Sequence, residues 1–324
     1  MEGVNIMKGR YYLEIYDNKV RYELLLERNI TVIKGKSGTG KSTLYTLISN
    51  MLETSKARGI HCNCKDKLRI LDYRTDWKSE LENESNKIFI ADESVSYITT
   101  NEFARYVNKS DNYFIFITRS GILYNLGYSV NSLFELSTTK ENGFNVTKLI
   151  DRFAYDSEYI KPNLVIVEDS NSGFDMMKII SNCRVLSGNG NSGVYKVINE
   201  NLGKYNNICV IVDGAAFGAY IEQIIVLRKF GVYLFTPESF EFLLLQYKSF
   251  YNDVKQEIER TYDFCDSKHF STWERYYTSL LENICESKYN FKYSKKKLNK
   301  FFQVNEFKVH ILNIFKDIDF SGGV

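Results

Sequence analysis

At 324 residues, with 44% hydrophobic and 25% charged side chains, the chain can bury one large core or two, two being favoured, and carries too many apolar residues to stay unfolded. A formal net charge of +2 excludes a global electrostatic pull toward nucleic acid, so any basic surface must be local. No apolar run reaches the roughly 18 residues that span a bilayer, and Met1-Glu2-Gly3-Val4-Asn5 has no signal-peptide core, so the expectation is a cytoplasmic protein with no membrane partner.

Residues 11–16 and 19–26 read as two antiparallel strands turning at Asp17-Asn18. The β-branched run Ile30-Thr31-Val32-Ile33 then enters Gly35-Lys36-Ser37-Gly38-Thr39-Gly40-Lys41-Ser42-Thr43, with a helical pattern over 42–54. A strand, G-x-x-x-x-G-K-S and a helix are the full context of a phosphate-binding loop. Its glycines let backbone N–H groups wrap phosphates, Lys41 is a point charge for the β and γ phosphates, and the Ser42 hydroxyl is a Mg2+ ligand at a helix N-terminus. ATP is the expected nucleotide. The six cysteines are scattered, and His61-Cys62-Asn63-Cys64, without a partner cluster, reads as a surface loop and not a zinc site.

A strand over 68–72 and a helix near 76–84 lead to Lys87-Ile88-Phe89-Ile90-Ala91-Asp92-Glu93, an apolar strand ending in two carboxylates. It is expected beside the phosphate-loop strand, with Asp92 holding Mg2+ through water and Glu93 polarising the attacking water. A helix over 101–109 and a strand over 113–118 follow. The latter ends in Thr118-Arg119, read equally as a γ-phosphate sensor or a capped strand end. A strand over 130–137 completes an α/β ATPase domain over 1–155. The hairpin entry resembles that of ABC-like ATPases. Only about 50 residues separate Lys41 from Asp92, with no LSGGQ signature between them, so the resemblance is to a minimal ABC/AAA-like P-loop core.

After Lys161-Pro162 a second α/β grammar begins, with strands at 163–167, 184–186, 208–212 and 232–235 and helices near 174–182, 192–201, 216–230 and 238–250. This alternation implies a second parallel sheet over 161–250. Ligands bind beyond the carboxyl ends of such strands, which is where Glu168-Asp169 and Asp213 fall. Two converging carboxylates suggest Mg2+.

These residues resemble the Toprim fold of primases, topoisomerases and OLD-family nucleases, and are particularly similar to the Toprim-like nuclease subunits of PARIS anti-phage systems. The resemblance implies a nucleic-acid-acting site in which Glu168 is the first-strand metal ligand, Asp213 the first Asp of the third-strand pair, 188–193 the Gly/Ser/Asn-rich loop and Glu241 a later ligand. Asp169 is then a further ligand, and Mn2+ an alternative ion to Mg2+. Ala215 stands where the second Asp belongs, and Asp169 replaces a Gly. Gly-x-Ser-Gly-Thr-Gly-Lys, Glu-Asp-Ser-Asn-Ser-Gly, Asp-Gly-Ala-Ala-Phe-Gly and Pro-Glu-Ser-Phe-Glu are shared with small AAA-type proteins of low-GC bacteria and their mobile elements, a likeness over nearly the full length. Val167-Glu168-Asp169-Ser170-x-x-Gly173 also resembles the late acidic loop of haloacid-dehalogenase-type phosphatases, but in reversed order and without their Asp-x-Asp.

Residues 251–324 are expected to be a helical segment, with Trp273, Tyr276, Tyr277, Leu280, Leu281 and Ile284 as its buried stripe. Lys288, Lys292, Lys295, Lys296, Lys297 and Lys300 interleave with Tyr289, Phe291, Tyr293, Phe301 and Phe302. That pattern suits single-stranded nucleic acid, or a solvated helix face over a core stripe. The functional expectation is an ATPase, self-associating to complete its site, that controls a Mg2+-dependent Toprim-like domain in phage or mobile-element defence. The alternative is a non-nucleolytic ATP switch binding a protein or nucleic acid.

Overall fold

Four-residue runs in which every side chain is buried, Ile30–Ile33 in the first half and Leu164–Val167 and Ile208–Ile211 in the second, become central strands of two separate sheets. The computed structural model describes residues 8–53, 55–119, 123–141, 143–152 and 159–322. The chain is mixed α/β and divides into two units, Met1–Ala154 with Arg260–Ser271, and Tyr155–Glu259 with Thr272–Val324. Among the described residues no helix is long and apolar enough to cross a membrane.

In the first unit the strands are β1 (Tyr11–Tyr16), β2 (Val20–Leu26), β3 (Ile30–Ile33), β4 (His61–Cys62), β5 (Leu68–Ile70), β6 (Ile88–Asp92), β7 (Tyr113–Ile117), β8 (Leu133–Glu141) and β9 (Phe144–Asp151). They join in one sheet in the order β4-β1-β2-β9-β8-β3-β7-β6-β5. The acidic strand β6 is therefore not beside β3, as expected from sequence. The fully buried β7 lies between them, pairing Phe116 with Val32 on one side and Ala91 on the other. The strand expected at 130–137 is the first arm of a hairpin whose second arm, β9, was not foreseen. β9 pairs parallel with β2 and so joins the β1–β2 hairpin to the parallel strands. Residues 61–64, expected as a loop, open with the edge strand β4 against β1. Helices α1 (Lys41–Leu52), α2 (Trp77–Asn83) and α3 (Asn101–Val107) follow β3, β5 and β6. Leu44, Ile48 and Met51 of α1 pack on Ile33, Ile90 and Ile115 of the sheet.

The second unit has four parallel strands, β10 (Leu164–Val167), β11 (Arg184–Ser187), β12 (Ile208–Ile211) and β13 (Val232–Phe235), in the order β11-β10-β12-β13. Helices α4 (Ser172–Ile180) and α5 (Asn191–Asn201) follow β10 and β11. The continuous helix expected over 216–230 is reduced to α6 (Ile221–Ile225) and a 3-10 turn at Arg228–Phe230, because 213–220 is spent on turns. The one expected over 238–250 breaks into α7 (Phe240–Leu245) and α8 (Lys248–Glu259).

Residues 251–324 do not form a segment of their own. The stretch 260–271, carrying α9 (Thr261–Phe264), belongs to the first unit, where the Gly9 N–H donates to the Tyr262 carbonyl at 2.6 Å and the Ser267 hydroxyl to the Ser110 carbonyl at 3.3 Å. Helices α10 (Trp273–Tyr289) and α11 (Asn305–Ile314) complete the second core, with Tyr277, Leu281 and Ile284 of the expected stripe packed among Phe250, Tyr293 and Phe302.

Candidate functional site

The loop after β3 bends on glycines in left-handed backbone, Gly38 at φ 86° and Gly40 at φ 92°, the latter capping α1. At Gly40 a side chain is also crowded out. A Cβ there would meet the Tyr22 hydroxyl at 3.0 Å, and that hydroxyl donates to the Gly40 carbonyl at 2.8 Å. The β1–β2 hairpin thus holds the start of α1. Lys41 is buried and folds back over the loop, its ammonium donating to the carbonyls of Gly35 at 2.5 Å and Lys36 at 2.8 Å and to Thr39 Oγ1 at 3.1 Å. Burial, with the Arg119 charge second, pulls its pKa below the ordinary lysine value. Lys36, Ser37, Gly38, Ser42 and Thr43 are exposed, so a ligand can approach the loop and the first turn of α1 from solvent.

Asp92, at the end of β6, accepts from the Ser94 N–H at 3.0 Å and the Ser94 hydroxyl at 2.5 Å. Glu93 reaches to the end of β7. Its Oε2 accepts from the Arg119 N–H at 2.6 Å and from the Thr118 hydroxyl at 3.4 Å, and its Oε1 lies 3.2 Å from Arg119 Nε. Although β7 separates β6 from β3, the strand ends bring Glu93, Thr118 and Arg119 together, and Glu93 and Arg119 both act electrostatically on Lys41. Arg152, which follows β9 and pairs with Glu135 of β8, also acts on Lys41. It was not singled out in the sequence because β9 was not.

In the second unit a pocket opens beyond β10 and β12, with Glu168, Asp213, Glu241 and Lys295 around it over Met177 and Ile211. Parallel pairing of Val167 with Ile211 brings Glu168 beside Asp213, whose N–H donates to Glu168 Oε2 at 2.9 Å. With its amide oriented to donate, Asn191 reaches both Glu168 oxygens, at 2.8 and 3.0 Å. The Glu168 carbonyl accepts from the Gly190 N–H at 2.8 Å. A Cβ on Gly193, in the first turn of α5, would sit 2.0 Å from the Gly188 carbonyl oxygen, so the close approach of loop and helix tolerates no side chain there. Burial pushes the Glu168 carboxyl up to about 7, opposed by the Asp213 N–H, and burial with Glu274 and Glu168 nearby holds Asp213 well above the usual carboxylate range.

Glu241 is fully buried in the first turn of α7 and accepts from the Tyr293 hydroxyl at 2.8 Å. Lys295 pairs with Glu274 of α10 and lies 3.8 Å from Asp213 Oδ2 and 3.9 Å from Glu241 Oε2. Burial opposes the Lys295 charge, but Glu241, Asp213 and Glu274 outweigh it and raise its pKa. Asp169 also lines the pocket, and its carboxylate takes the Asn171 N–H at 3.1 Å and side-chain amide at 2.9 Å. Ala215 is a buried methyl. Among the described residues, no group of three or more His, Cys, Asp or Glu is placed to hold a metal ion.

The basic-aromatic stretch is divided by burial. Tyr293 and Phe302 are core residues, and Tyr289, Phe291 and Phe301 pack against them, so these rings form no open stacking platform. Lys288, Lys292, Lys296, Lys297 and Lys300 are exposed, while Lys295 alone of the six turns inward. Nothing in its immediate sequence sets it apart from the exposed lysines on either side. No protein-family model matches the chain, and no curated protein matches it.

Proposed function

We propose that the chain is an ATP-binding and ATP-hydrolysing protein in which nucleotide occupancy of the first unit controls the second. The observation that carries this reading is Lys41. A buried ammonium held on loop carbonyls at the start of α1, amid left-handed glycines, is arranged to exchange those neutral acceptors for phosphate oxygens. The Ser42 hydroxyl and Asp92 carboxylate are hard oxygen donors that suit Mg2+, which when bound would neutralise phosphate charge. Glu93 is the candidate base. Its Oε1 is paired with the Arg119 guanidinium while its Oε2 takes the Arg119 backbone N–H, so freeing Oε1 to take a proton from water requires the Arg119 side chain to leave it, and a γ-phosphate is the anion that would draw that side chain away. An arginine from a second copy would complete the charge clamp, so the reading includes self-association. Lys41→Ala should abolish Mg-ATP binding in calorimetry; tight binding by that variant would overturn the reading.

For the second unit, adjacency of Glu168 and Asp213 supports the Toprim-like, metal-dependent reading in phage or mobile-element defence, with the cytoplasm as its setting. Ala215 and the inward Lys295 favour the other reading, an ATP-controlled binding module that does not cut. We take the binding module as the better supported. Strand cleavage of DNA or RNA with ATP and Mn2+ that is lost in Glu168→Ala would reverse the preference.

A further inference from the structure

Four carboxyl groups in the second unit face one ammonium. Glu168 follows β10, Asp213 follows β12, Glu241 lies in the first turn of α7 and Glu274 in the first turn of α10. Lys295 arrives from the segment after α10, is ion-paired with Glu274, and stands 3.8 Å from Asp213 Oδ2 and 3.9 Å from Glu241 Oε2. Glu241 supplies the independent observation. It is 0% exposed, its Oε1 takes the Tyr293 hydroxyl, and its Oε2 has no hydrogen-bond donor. A buried carboxylate oxygen without a donor is costly, and a positive charge close to it is what offsets that cost. The only charge aimed at Glu241 Oε2 among the described ion pairs is Lys295 Nζ.

We propose that the Lys295 ammonium is the resident cation of this pocket, a tethered counter-ion standing between Asp213, Glu241 and Glu274 where a divalent ion would otherwise be held, so that the pocket as folded is closed to divalent metal. An ammonium and a divalent ion this close would repel strongly in a site of low dielectric, so the two occupants exclude each other. The remaining candidate ligands agree with a site that does without metal. Both Glu168 oxygens are taken, one by the Asp213 N–H and both by the Asn191 amide, and Asp169 is tied to Asn171. The inference rests on this pocket alone, and the ATPase reading of the first unit stands or falls separately.

The test is Mn2+ binding by electron paramagnetic resonance on nucleotide-free, full-length protein, counting only ions whose binding is lost on Asp213→Asn. Wild-type protein should show no such ion at millimolar Mn2+. Lys295→Met, nearly the same shape without the charge, should gain one, about tenfold or more tighter than wild type. Binding of Mn2+ by the wild type at an Asp213-dependent site, or no gain in Lys295→Met, overturns the proposal. Thermal unfolding covers the case in which Lys295→Met folds poorly. Adding Glu241→Gln should raise the melting temperature of Lys295→Met while lowering that of the wild type, because the carboxylate is a liability only when its cation is gone. A lowering in both backgrounds would show that Lys295 is not its counter-ion.

Discussion

Glu168→Gln should flatten the dependence of second-unit stability on pH. Burial holds the Glu168 carboxyl at about 7 in the folded protein against an ordinary value of 4.5, so between these pH values the folded chain keeps a proton that the unfolded chain has released. A carboxyl raised in this way contributes stability that is fully present below about pH 4.5 and lost as pH rises through about 7. The gap corresponds to about 3 kcal/mol. About 2.5 kcal/mol of it falls between pH 5 and pH 8, and for a unit of this size each kcal/mol moves the melting temperature by about 2–4 °C, so the fall in melting temperature over that range should be smaller in the variant by about 5–10 °C.

Asp213 and Glu241 are raised by the same burial, and because the Glu168 charge also helps raise Asp213, the variant loses that part of the Asp213 contribution as well, in the same direction. His310, which burial holds below its ordinary value while it bonds the Leu243 carbonyl, works in the opposite sense, its contribution being lost as pH falls. The difference between wild type and variant belongs to Glu168 and to the part of the Asp213 shift that Glu168 causes. The chain has two tryptophans, Trp77 in the first unit and Trp273 in the second, so melts followed by fluorescence in a Trp77→Phe background report the second unit. A chelator is present throughout. Equal pH slopes for the two proteins would refute the assignment of a raised Glu168.

Gly193→Ala should destabilise the second unit by about 3 kcal/mol, since its Cβ would lie 2.0 Å from a backbone oxygen that no rotamer change can move, and a melt would read this as a drop of about 6–12 °C. An unchanged melting temperature would mean that the turn from Gly188 to α5 is not built as described. Arg119→Ala should leave ATP binding within a few-fold of wild type and lower turnover by about tenfold or more, in the reading where Arg119 exchanges Glu93 for the γ-phosphate. Faster turnover would instead make the ion pair a simple brake on Glu93.

What sequence could reach was set by range. The loop 35–43 and α1 were legible because every residue that defines them lies within one turn of the next, and β10 and β12 because a fully buried strand needs an unbroken apolar run. The neighbour of β3 was not legible. Strand order depends on which run tolerates burial on both faces, and all five residues of β7 do so, as do only the first four of β6. The strand β9 escaped notice because only Val146 and Thr147 of its eight residues are buried, leaving no period to read. Convergence of Glu168 with Asp213 followed from strand ends alone, whereas Glu274 and Lys295 come from beyond the sheet, and nothing local marks either as a pocket residue.

Lys41 and Lys295 show why the two pockets call for different chemistry although each turns a lysine inward. Lys41 donates to two neutral carbonyls and a hydroxyl, its pKa is lowered, and none of those acceptors carries a formal charge. Carbonyl acceptors lose to a phosphate oxygen, because charge-assisted hydrogen bonds are roughly twice as strong as neutral ones. Lys295 is surrounded by Glu274, Asp213 and Glu241, and its pKa is raised. An incoming anion must displace charges it cannot outmatch and would meet their repulsion on the way. The first lysine is therefore placed to trade partners with a ligand and the second to keep the ones it has. That contrast is the physical reason for proposing nucleotide exchange at the first lysine and a fixed counter-ion at the second.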